Sequence, residues 1–514
     1  MKTLRTRLLL LLVILHALAL GAAAQSAPAS RPAVDSDSSV THHVLKLNGT
    51  ELAYTATAAF MDLRDEGGRL QARIFYTAYT RDGQNAAVRP LTFAFNGGPG
   101  AASLWLHLGA MGPKRVLLAD DGKALPKDIR LVDNDQTWLE FTDLVFVDPV
   151  GAGYSHTAAG VAADKYFGLE GDMQSLGEFI RLFVSAKGRW ASPKYLAGES
   201  YGATRSCLLA EHLHSKHGLD LAGLVLLSSA LNFQTFSFGS DNDLPYMLYL
   251  PSYTATAWYH NRLDPDLQKS LPAALAAAEK WAIDEYGPAL ARGSALEGDQ
   301  RRKIVKGLVR FTSLPPDLIE RADLRVPSYV FRKQLLQDKS ASADEPAPQA
   351  KIVGLLDARV TGFTNDPLAA HADYDPAMFV IAGPFTAAVQ SYMNDDLAFR
   401  TSRQYVFLSR HANSSWNWGS ARNGYVSVTD NLTRAMTQNP NLKVFAAMGY
   451  FDLTTGYFAQ EYTFRHLGLP PELRKNITMA YYFSGHQIYN HIPSLKQFTR
   501  GVKDFMAAPA AAAK

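Results

Sequence analysis

Short apolar runs alternate with segments of helical spacing from about Leu45 onward. The segments Asp172–Lys187 and Ala203–Lys216 have the apolar spacing of helices. Because strand-like and helical segments alternate, the pattern predicts a mostly parallel sheet with helices on both faces. The run Leu224–Leu227 is apolar throughout, as in a strand buried on both faces. The predicted strands of this region are Leu70–Thr77, Leu91–Phe95, Leu144–Val147, Lys194–Leu196 and Leu224–Leu227.

The pattern changes after about Asn232. Residues 265–340 are rich in Ala, Leu and charged residues at helical spacing, and a loop is predicted over residues 340–350. Strand-like runs return at Lys443–Met448 and Ile477–Phe483. An α/β core interrupted by a mainly helical insertion, or cap, explains this order. The predicted parts are core residues 45–232, insertion residues 233–400, core residues 401–505 and a disordered tail over residues 506–514.

The N-terminus has the three-part pattern of a secretory signal peptide. Basic residues in Met1–Arg7 precede the apolar run Leu8–Leu20, and Ala22–Ala24 offers a cleavage site. The alternative is an uncleaved membrane anchor, but the run is shorter than the roughly 20 residues that a membrane span prefers. We therefore predict a signal peptide over residues 1–24, a flexible leader over residues 25–44, and an exported protein that is periplasmic or secreted and not inserted in the membrane after cleavage.

Composition and charge exclude several classes of protein. The chain is 47% hydrophobic and 19% charged, which permits a large core. Its 51 basic and 48 acidic residues leave a net charge of +3, which gives no electrostatic signature of nucleic-acid binding. The single cysteine, Cys207, excludes a disulfide, a cysteine zinc site and an iron–sulfur cluster within the chain, and is predicted to be a buried apolar side chain. His212, His214 and His217 scatter around a helix and do not predict a metal site. Residues 151–153 (Gly-Ala-Gly) lack the third glycine of a dinucleotide fingerprint, so no metal or organic cofactor is expected.

Residues 198–202 have the sequence Gly-Glu-Ser-Tyr-Gly between a predicted strand and a predicted helix. This G-x-S-x-G context is that of a nucleophile elbow, in which the serine occupies a sharp strand-to-helix turn. Ser200 is therefore the candidate nucleophile, with the helix N-terminus favouring negative charge near its hydroxyl. The alternative is an ordinary turn bounded by glycines.

A serine hydroxyl needs a base, and the elbow order predicts an acid and then a histidine downstream, each just after a strand. Asp452 follows the strand-like VFAAM, and His486 follows the strand-like MAYYF. Asp452 would orient the imidazole, and His486 would take the proton of Ser200. Asp430 is an alternative acid, but it precedes a helix-like segment and fits an N-cap better.

The loop Asn96–Gly100 has the sequence NGGPG and follows the predicted strand Leu91–Phe95. Its double glycine lets backbone N–H groups approach a ligand closely. In a nucleophile-elbow fold, the oxyanion hole uses the N–H of the residue after the nucleophile and one from an earlier strand–helix loop. Tyr201 and Gly98 are the natural assignments.

These segments together resemble the serine carboxypeptidase family. The resemblance implies an α/β-hydrolase fold and an exopeptidase that cleaves the C-terminal peptide bond of peptides or proteins through an acyl-enzyme. Two positions depart from many members: Ala94 stands where tryptophan is common, and Ala101 where cysteine is common. The matching blocks, in the order of the family, are FAFNGGPGAAS, DLVFVDPVGAGYSH, KYLAGESYG, MGYFD and FSGH, and a softer match to bacterial members lies in Phe379–Gly419.

An exopeptidase must recognise a free carboxylate, and the resemblance places Asn96, Gly97 and Glu199 in this role. A protonated Glu199 can share a hydrogen bond with the substrate carboxylate, which predicts activity favoured at acidic pH. Glu199 as a buried structural acid is the alternative for this residue. For the whole protein, the alternatives are an esterase or acyltransferase with the same triad and a catalytically silent exported binding protein.

Overall fold

The computed structural model describes residues 35–47, 49–123, 129–337, 351–366, 369, 371–421 and 424–507. The predicted signal peptide, leader residues 25–34 and tail residues 508–514 lie outside the described residues. The described residues divide into two units, residues 35 and 36 with 400–402, and the described residues of 37–399 with those of 403–507. Within the smaller unit, the Ser36 N–H donates to the Arg400 carbonyl at 2.7 Å. The remaining description concerns the larger unit.

The main sheet has ten strands in the described part of the chain, in the order β1-β2-β3-β7-β4-β9-β10-β13-β14, with β8 beside β3. Strands β1, β2, β3 and β7 pair antiparallel, whereas the pairs from β7 through β4, β9, β10 and β13 to β14 are parallel. The predicted, mostly parallel sheet is therefore confirmed. The strands are β1 (Ser38–Leu47), β2 (Thr50–Arg64), β3 (Leu70–Arg81), β4 (Leu91–Phe95), β5 (Lys114–Val116), β6 (Leu131–Asp133), β7 (Asp143–Val147), β8 (His156–Thr157), β9 (Lys194–Glu199), β10 (Gly223–Leu227), β11 (Lys351–Val353), β12 (Thr361–Phe363), β13 (Lys443–Gly449) and β14 (Ile477–Tyr482).

Strand β1 corrects the expectation of a flexible leader up to residue 44. Residues 38–47 pair antiparallel with β2, from Ser38 opposite Ala59 to Leu47 opposite Thr50. Exposure alternates along β1, but the partly covered positions before Leu45 carry Ser, Thr and His. Because these side chains are polar, the period of two was hidden in the sequence, and backbone pairing with β2 decided the structure.

Helices cover both faces of the sheet, as predicted. Helices α2 (Leu169–Ala186) and α3 (Tyr201–His217) flank strand β9 on one face, and Cys207 is fully buried there. The C-terminal helix α16 packs on the other face through Leu495, Phe498 and Val502. The helices are α1 (Leu104–Leu106), α2 (Leu169–Ala186), α3 (Tyr201–His217), α4 (Leu244–Tyr259), α5 (Pro265–Gln268), α6 (Leu271–Trp281), α7 (Gly287–Leu290), α8 (Gly298–Thr312), α9 (Pro316–Arg321), α10 (Ser328–Gln334), α11 (Pro376–Ser391), α12 (Arg410–Ser414), α13 (Thr429–Gln438), α14 (Tyr457–Arg465), α15 (Pro471–Arg474) and α16 (Ile492–Ala507).

The segment between β10 and β13 contains helices α4 to α13 and the small hairpin β11–β12. Its described part is therefore mainly helical, in keeping with the pattern that predicted the insertion. No helix among the described residues is long and apolar enough to cross a bilayer.

The N-terminal end of β7 is held by a buried group of three charges. Asp143 accepts hydrogen bonds from Arg89 Nε at 2.7 Å and from Arg189 Nη1 at 2.6 Å. The three side chains are 8% exposed or less, so neither arginine has water as an alternative partner. Since Arg89 precedes β4 and Arg189 precedes β9, Asp143 ties together the starts of three neighbouring strands.

We expect Asp143→Ala to destabilise the protein by about 3–5 kcal/mol, because two buried arginines lose their counter-charge. The shift of the urea unfolding midpoint measures this effect. Asp62→Ala is the control, since Asp62 pairs with Arg64 and Arg73 at a more exposed site and should change stability by less than about 1 kcal/mol. Equal shifts for the two variants would contradict this role of Asp143.

Candidate active site

Ser200 lies between the end of β9 and the start of α3, with φ 59° and ψ −122°. A Cβ atom at Gly198 would lie 2.1 Å from the carbonyl oxygen of Gly202, and one at Gly202 would lie 2.5 Å from that of Phe95. Both glycines of the motif are therefore required by close backbone packing. The Ser200 N–H donates to the Leu227 carbonyl at 2.9 Å, which ties the turn to the end of β10. Ser200 thus has the strained strand-to-helix geometry of a nucleophile elbow.

Asp452 and His486 follow neighbouring parallel strands, β13 and β14, and meet at the same edge of the sheet. His486 Nδ1 lies 2.8 Å from Asp452 Oδ2. The Asp452 carboxylate also accepts from the N–H groups of Thr454 and Thr455, at 2.7 and 3.0 Å. Asp452 is fully buried and His486 is nearly so, so this pair is shielded from solvent.

Burial is the largest single influence on the pKa of His486, but the neighbouring carboxylates together outweigh it. Burial by itself opposes the imidazolium, but the Asp452 carboxylate raises the pKa of His486 above its ordinary value through its charge and its hydrogen bond. The more distant carboxylates of Glu199 and Asp375 act in the same direction. With Nδ1 engaged by Asp452, Nε2 is the nitrogen available to a proton donor.

Ser228, which follows β10, connects the three loops of the site. Its hydroxyl donates to the His486 carbonyl at 2.6 Å, and its own carbonyl accepts from Thr455 Oγ1 at 3.0 Å. The Ser200 N–H donates to the carbonyl of Leu227, the residue before Ser228. The end of β10 therefore contacts the turn at Ser200 as well as the loops that carry Asp452 and His486. Sequence analysis did not identify Ser228, since an isolated serine after a strand carries no signal of such contacts.

The NGGPG loop packs directly against the elbow. A Cβ atom at Gly97 would lie 2.5 Å from the Tyr201 nitrogen and 2.7 Å from the Glu199 carbonyl oxygen. Gly98 has φ +103°, a conformation that favours glycine. The Tyr201 N–H belongs to the first turn of α3, where backbone N–H groups lack carbonyl partners within the helix. The loop therefore lies against the first backbone N–H groups of α3, which directly follow Ser200.

A buried ion pair holds the NGGPG loop against α3. Arg205 donates to the Asp172 carboxylate from Nε at 2.7 Å and to the Asn96 carbonyl from Nη1 at 2.7 Å. The Arg205 side chain is fully buried, and it lies over the rings of Phe95 and Tyr201. This pair was missed in the sequence because Asp172 and Arg205 lie on different helices and match no local motif.

Asn96 and Glu199 lie together beside Ser200. Asn96 Nδ2 donates to Glu199 Oε1 at 3.1 Å, while Asn96 Oδ1 accepts from the Leu106 N–H at 3.0 Å. Burial raises the pKa of Glu199 to about 7, although His486, Tyr489 and Asn96 favour its charged form. The carboxyl of Glu199 is therefore a group that changes protonation near neutral pH.

Tyr489 is a neighbour of Glu199 that sequence analysis missed. Its hydroxyl and Glu199 Oε2 are both buried and make no hydrogen bond of ordinary geometry, yet the two groups are close enough to influence each other's pKa. The ring lies against Gly109, where a Cβ atom would approach it to 2.7 Å. The Tyr489 hydroxyl and the Glu199 carboxyl thus lie together beside the Asn96 amide.

Asp430, the alternative acid, and two tryptophans near Tyr201 have structural surroundings. Asp430 is exposed in the first turn of α13, whose N-cap is Val428, so Asp430 is near the predicted N-cap position without occupying it. The rings of Trp416 and Trp418 pack edge-on against Tyr201, at 5.2 and 5.8 Å between centroids. No group of three or more His, Cys, Asp or Glu side chains within the described ranges could hold a metal ion.

Comparison with known proteins finds similarity to serine carboxypeptidases. A family model described as serine carboxypeptidase matches residues 51–306. A pheromone-processing carboxypeptidase of Yarrowia lipolytica is 35% identical over 145 residues, which are 27% of this chain and 21% of that protein. A serine carboxypeptidase-like protein of Arabidopsis thaliana is 27% identical over 218 residues, 42% of each chain. The chain therefore matches less than half the length of these two relatives.

The solved structure of a prohormone-processing carboxypeptidase from Saccharomyces cerevisiae superposes with a TM-score of 0.52 at 16% sequence identity. The match covers 88% of this chain and 91% of that one. At this identity the likeness concerns the fold. Together with the sheet order and the flanking helices, it confirms the predicted α/β-hydrolase fold.

We expect Gly97→Ala to lower the rate at which a fluorophosphonate labels Ser200 by about 100-fold, because the added methyl group displaces the loop from the elbow and a shift of ~1 Å can cost that much. The rate of labelling, followed by mass spectrometry, measures the effect. Gly383→Ala is the matched control, since no atom lies within 4 Å of a Cβ at that position. An unchanged rate for Gly97→Ala would show that the loop has no part in the reactivity of Ser200.

Proposed function

The chain belongs to the serine carboxypeptidase family, and we propose that it releases C-terminal residues from peptides or proteins through an acyl-enzyme on Ser200. The observation that carries this proposal is the buried pair of Asn96 and Glu199 immediately beside the nucleophile turn. A free carboxylate is the substrate group that an amide donor and a protonated carboxyl recognise together. An esterase or acyltransferase has no need of such a pair.

The Asp452–His486 pair supplies the base for the first step. Nε2 of His486 accepts the proton of Ser200 while Oγ attacks the carbonyl carbon of the scissile peptide bond. When the C–N bond breaks, the imidazolium returns this proton to the leaving amine, and Ser200 is left as an ester. Asp452 stabilises the imidazolium throughout and keeps Nδ1 protonated.

Water completes the cycle by the same route. His486 takes a proton from water, the resulting hydroxide attacks the Ser200 ester, and the proton passes to Ser200 Oγ as the C–O bond breaks. In both steps the substrate carbonyl oxygen carries a transient negative charge. The N–H groups of Gly98 and Tyr201 are the proposed donors to this oxyanion, since they belong to the loop and the helix start that meet at Ser200.

The C-terminal carboxylate of the substrate is the proposed ligand of Asn96, Gly97 and Glu199. Asn96 has a second amide hydrogen besides the one that it donates to Glu199, and Gly97 offers its N–H. A protonated Glu199 can donate to the substrate carboxylate, whereas an ionised one repels it. Because the pKa of Glu199 is raised to about 7, the binding form is present at acidic and neutral pH and is lost above it.

The reactive state therefore has a proton on Glu199 and none on His486 Nε2. The ion pair of Glu199 carboxylate and His486 imidazolium contains the same number of protons but is unproductive, because it lacks both the acid and the base. A bound substrate carboxylate favours the proton on Glu199, which frees His486. Peptide binding and base activation are coupled in this way.

We also propose that the protein acts outside the cytoplasm on peptide or protein C-termini. The signal-peptide pattern of residues 1–24 is the support for export. Every step above uses side chains and backbone groups of the chain itself.

The function is tested with N-blocked dipeptides that carry a free C-terminus, with their C-terminal amides and with a simple ester. Wild type is expected to release the terminal residue from the free acids and to cleave the amides at least about tenfold more slowly, because a lost charge-assisted contact costs about 1.5–3 kcal/mol. Ser200→Ala should abolish release. Ester cleavage that is indifferent to a free carboxylate would instead indicate an esterase or acyltransferase. If the protein turned over none of these substrates and a fluorophosphonate did not label Ser200, it would be a binding protein.

The pH dependence tests the role of Glu199. For wild type, KM for a free-acid dipeptide should rise above about pH 7, because Glu199 then ionises and repels the substrate. Glu199→Gln keeps a neutral donor at every pH, so its KM should stay flat through this range. The matching amide substrate is the control, since its KM should not follow Glu199. A parallel rise of KM with pH in both enzymes would contradict the proposed role.

A further inference from the structure

A short segment of the predicted insertion, residues 355–360, bonds to the loop that carries Asp452. The Leu453 N–H donates to the Leu355 carbonyl at 3.1 Å, and the Ala358 N–H donates to the Phe451 carbonyl at 3.0 Å. The two bonds bracket Asp452, which lies between Phe451 and Leu453 in sequence. We call residues 355–360 the brace segment.

The brace segment also bonds to the loop that carries His486. The His486 N–H donates to the Leu356 carbonyl at 2.6 Å. A Cβ atom at the preceding Gly485 would lie 2.3 Å from the Leu356 carbonyl oxygen and 2.6 Å from the Asp357 Cα. Glycine is therefore required for this close packing, and both loops of the acid–base pair contact the same backbone segment.

Arg359 extends the contact with its side chain, which is only 5% exposed. Its Nη1 donates to the Phe483 carbonyl at 3.0 Å, and its guanidinium lies over the rings of Phe451 and Phe483, 5.5 and 5.7 Å from their centroids. Asp357 orients it, since the carboxylate accepts from Nε and Nη2 at 3.0 and 2.6 Å. Arg359 thus joins the residue just before Asp452 to the start of the histidine loop.

The brace segment is held on its far side by α11. Asp375, the N-cap of that helix, accepts hydrogen bonds from the Leu355 and Leu356 N–H groups at 2.8 and 3.1 Å. The helix and the two loops therefore enclose the segment, and its position depends on the insertion and on the core together.

We propose that Arg359 is a positioning residue that sets the contact between Asp452 and His486 by clamping their two loops to the brace segment. The proposal rests on the function proposed above. It follows that the acid–base pair is assembled in part by the insertion. Loss of the planar guanidinium fork removes the donor to Phe483 and the cation between the two rings, and the loops can then move apart.

The chemical consequence follows from the groups around His486. Asp452, Glu199 and Asp375 raise its pKa against the effect of burial, and Asp452 does so most. If the Asp452 contact weakens, burial lowers the pKa of the imidazole. Burial by itself lowers the pKa of Arg359, but Asp357, Tyr259 and Asp121 together raise it above its ordinary value. A variant without Arg359 should therefore contain a weaker base that becomes neutral at lower pH.

The test is the second-order rate of Ser200 labelling by a fluorophosphonate as a function of pH, because this probe carries no C-terminal carboxylate. Arg359→Met is expected to lower the plateau rate by about 100-fold, as for a misplacement of ~1 Å. The acid limb of its pH profile should move to lower pH. Arg359→Lys keeps the charge without the fork and should fall between wild type and Arg359→Met in both respects. If Arg359→Met does not fold, Arg359→Lys alone decides the question.

Arg325→Met is the matched control. Arg325 also lies in the insertion and pairs with Asp243 at 2.6 Å, but its hydrogen bonds lie within the insertion. The Arg325→Met variant should leave unchanged both the plateau rate of Ser200 labelling per folded molecule and the acid limb of its pH profile. The proposal would be overturned if the Arg359 variants labelled Ser200 with the pH profile and plateau rate of wild type and differed only in a lower unfolding midpoint. Failure of the fluorophosphonate to label Ser200 in wild type would instead contradict the proposed function.

Discussion

The close backbone packing between the NGGPG loop and the nucleophile turn is the constraint on which the rest of the site depends. Gly97 lies against the Tyr201 nitrogen and Gly202 against the Phe95 carbonyl, with no room for a methyl group at either position. This packing exists because β4 and β9 are neighbours in the parallel sheet. The buried Arg205–Asp172 pair then locks the arrangement, since Arg205 also binds the Asn96 carbonyl. A small change in the spacing of these two strands would separate Ser200, the proposed oxyanion donors and Asn96 at once.

The protonation states of Glu199 and His486 are set by opposite electrostatic effects. Burial favours the neutral form of Glu199, whereas the Asp452 carboxylate favours the charged form of His486. The proposed reaction needs Glu199 protonated and His486 neutral, so the substrate carboxylate supplies the missing bias toward the productive arrangement of protons. In this view, selectivity for a free C-terminus and activation of the base are one physical effect.

The insertion also contributes backbone and side-chain contacts to the candidate site. Besides lying between the two halves of the core in sequence, it contributes residues 355–360, which bond to the loops of both Asp452 and His486. Sequence analysis predicted the helical character of the insertion from spacing alone. It gave no indication of this contact, because Arg359 belongs to no motif and its partners Phe451 and Phe483 lie about a hundred residues further along the chain.

Local sequence was enough to define most of the elements and the candidate chemistry. Apolar runs and glycine-bounded turns are properties of short segments, so the strands, the elbow at Ser200 and the loop at Asn96–Gly100 could be predicted from the order of residues. The edge strand β1 escaped prediction because its inward positions are polar. The neighbours of each candidate were set only by the folded chain: Tyr489 beside Glu199, Arg205 beneath Asn96, and Arg359 against the acid and histidine loops. These contacts join residues far apart in sequence, and their energies come from burial and charge pairing that exist only once the chain has folded.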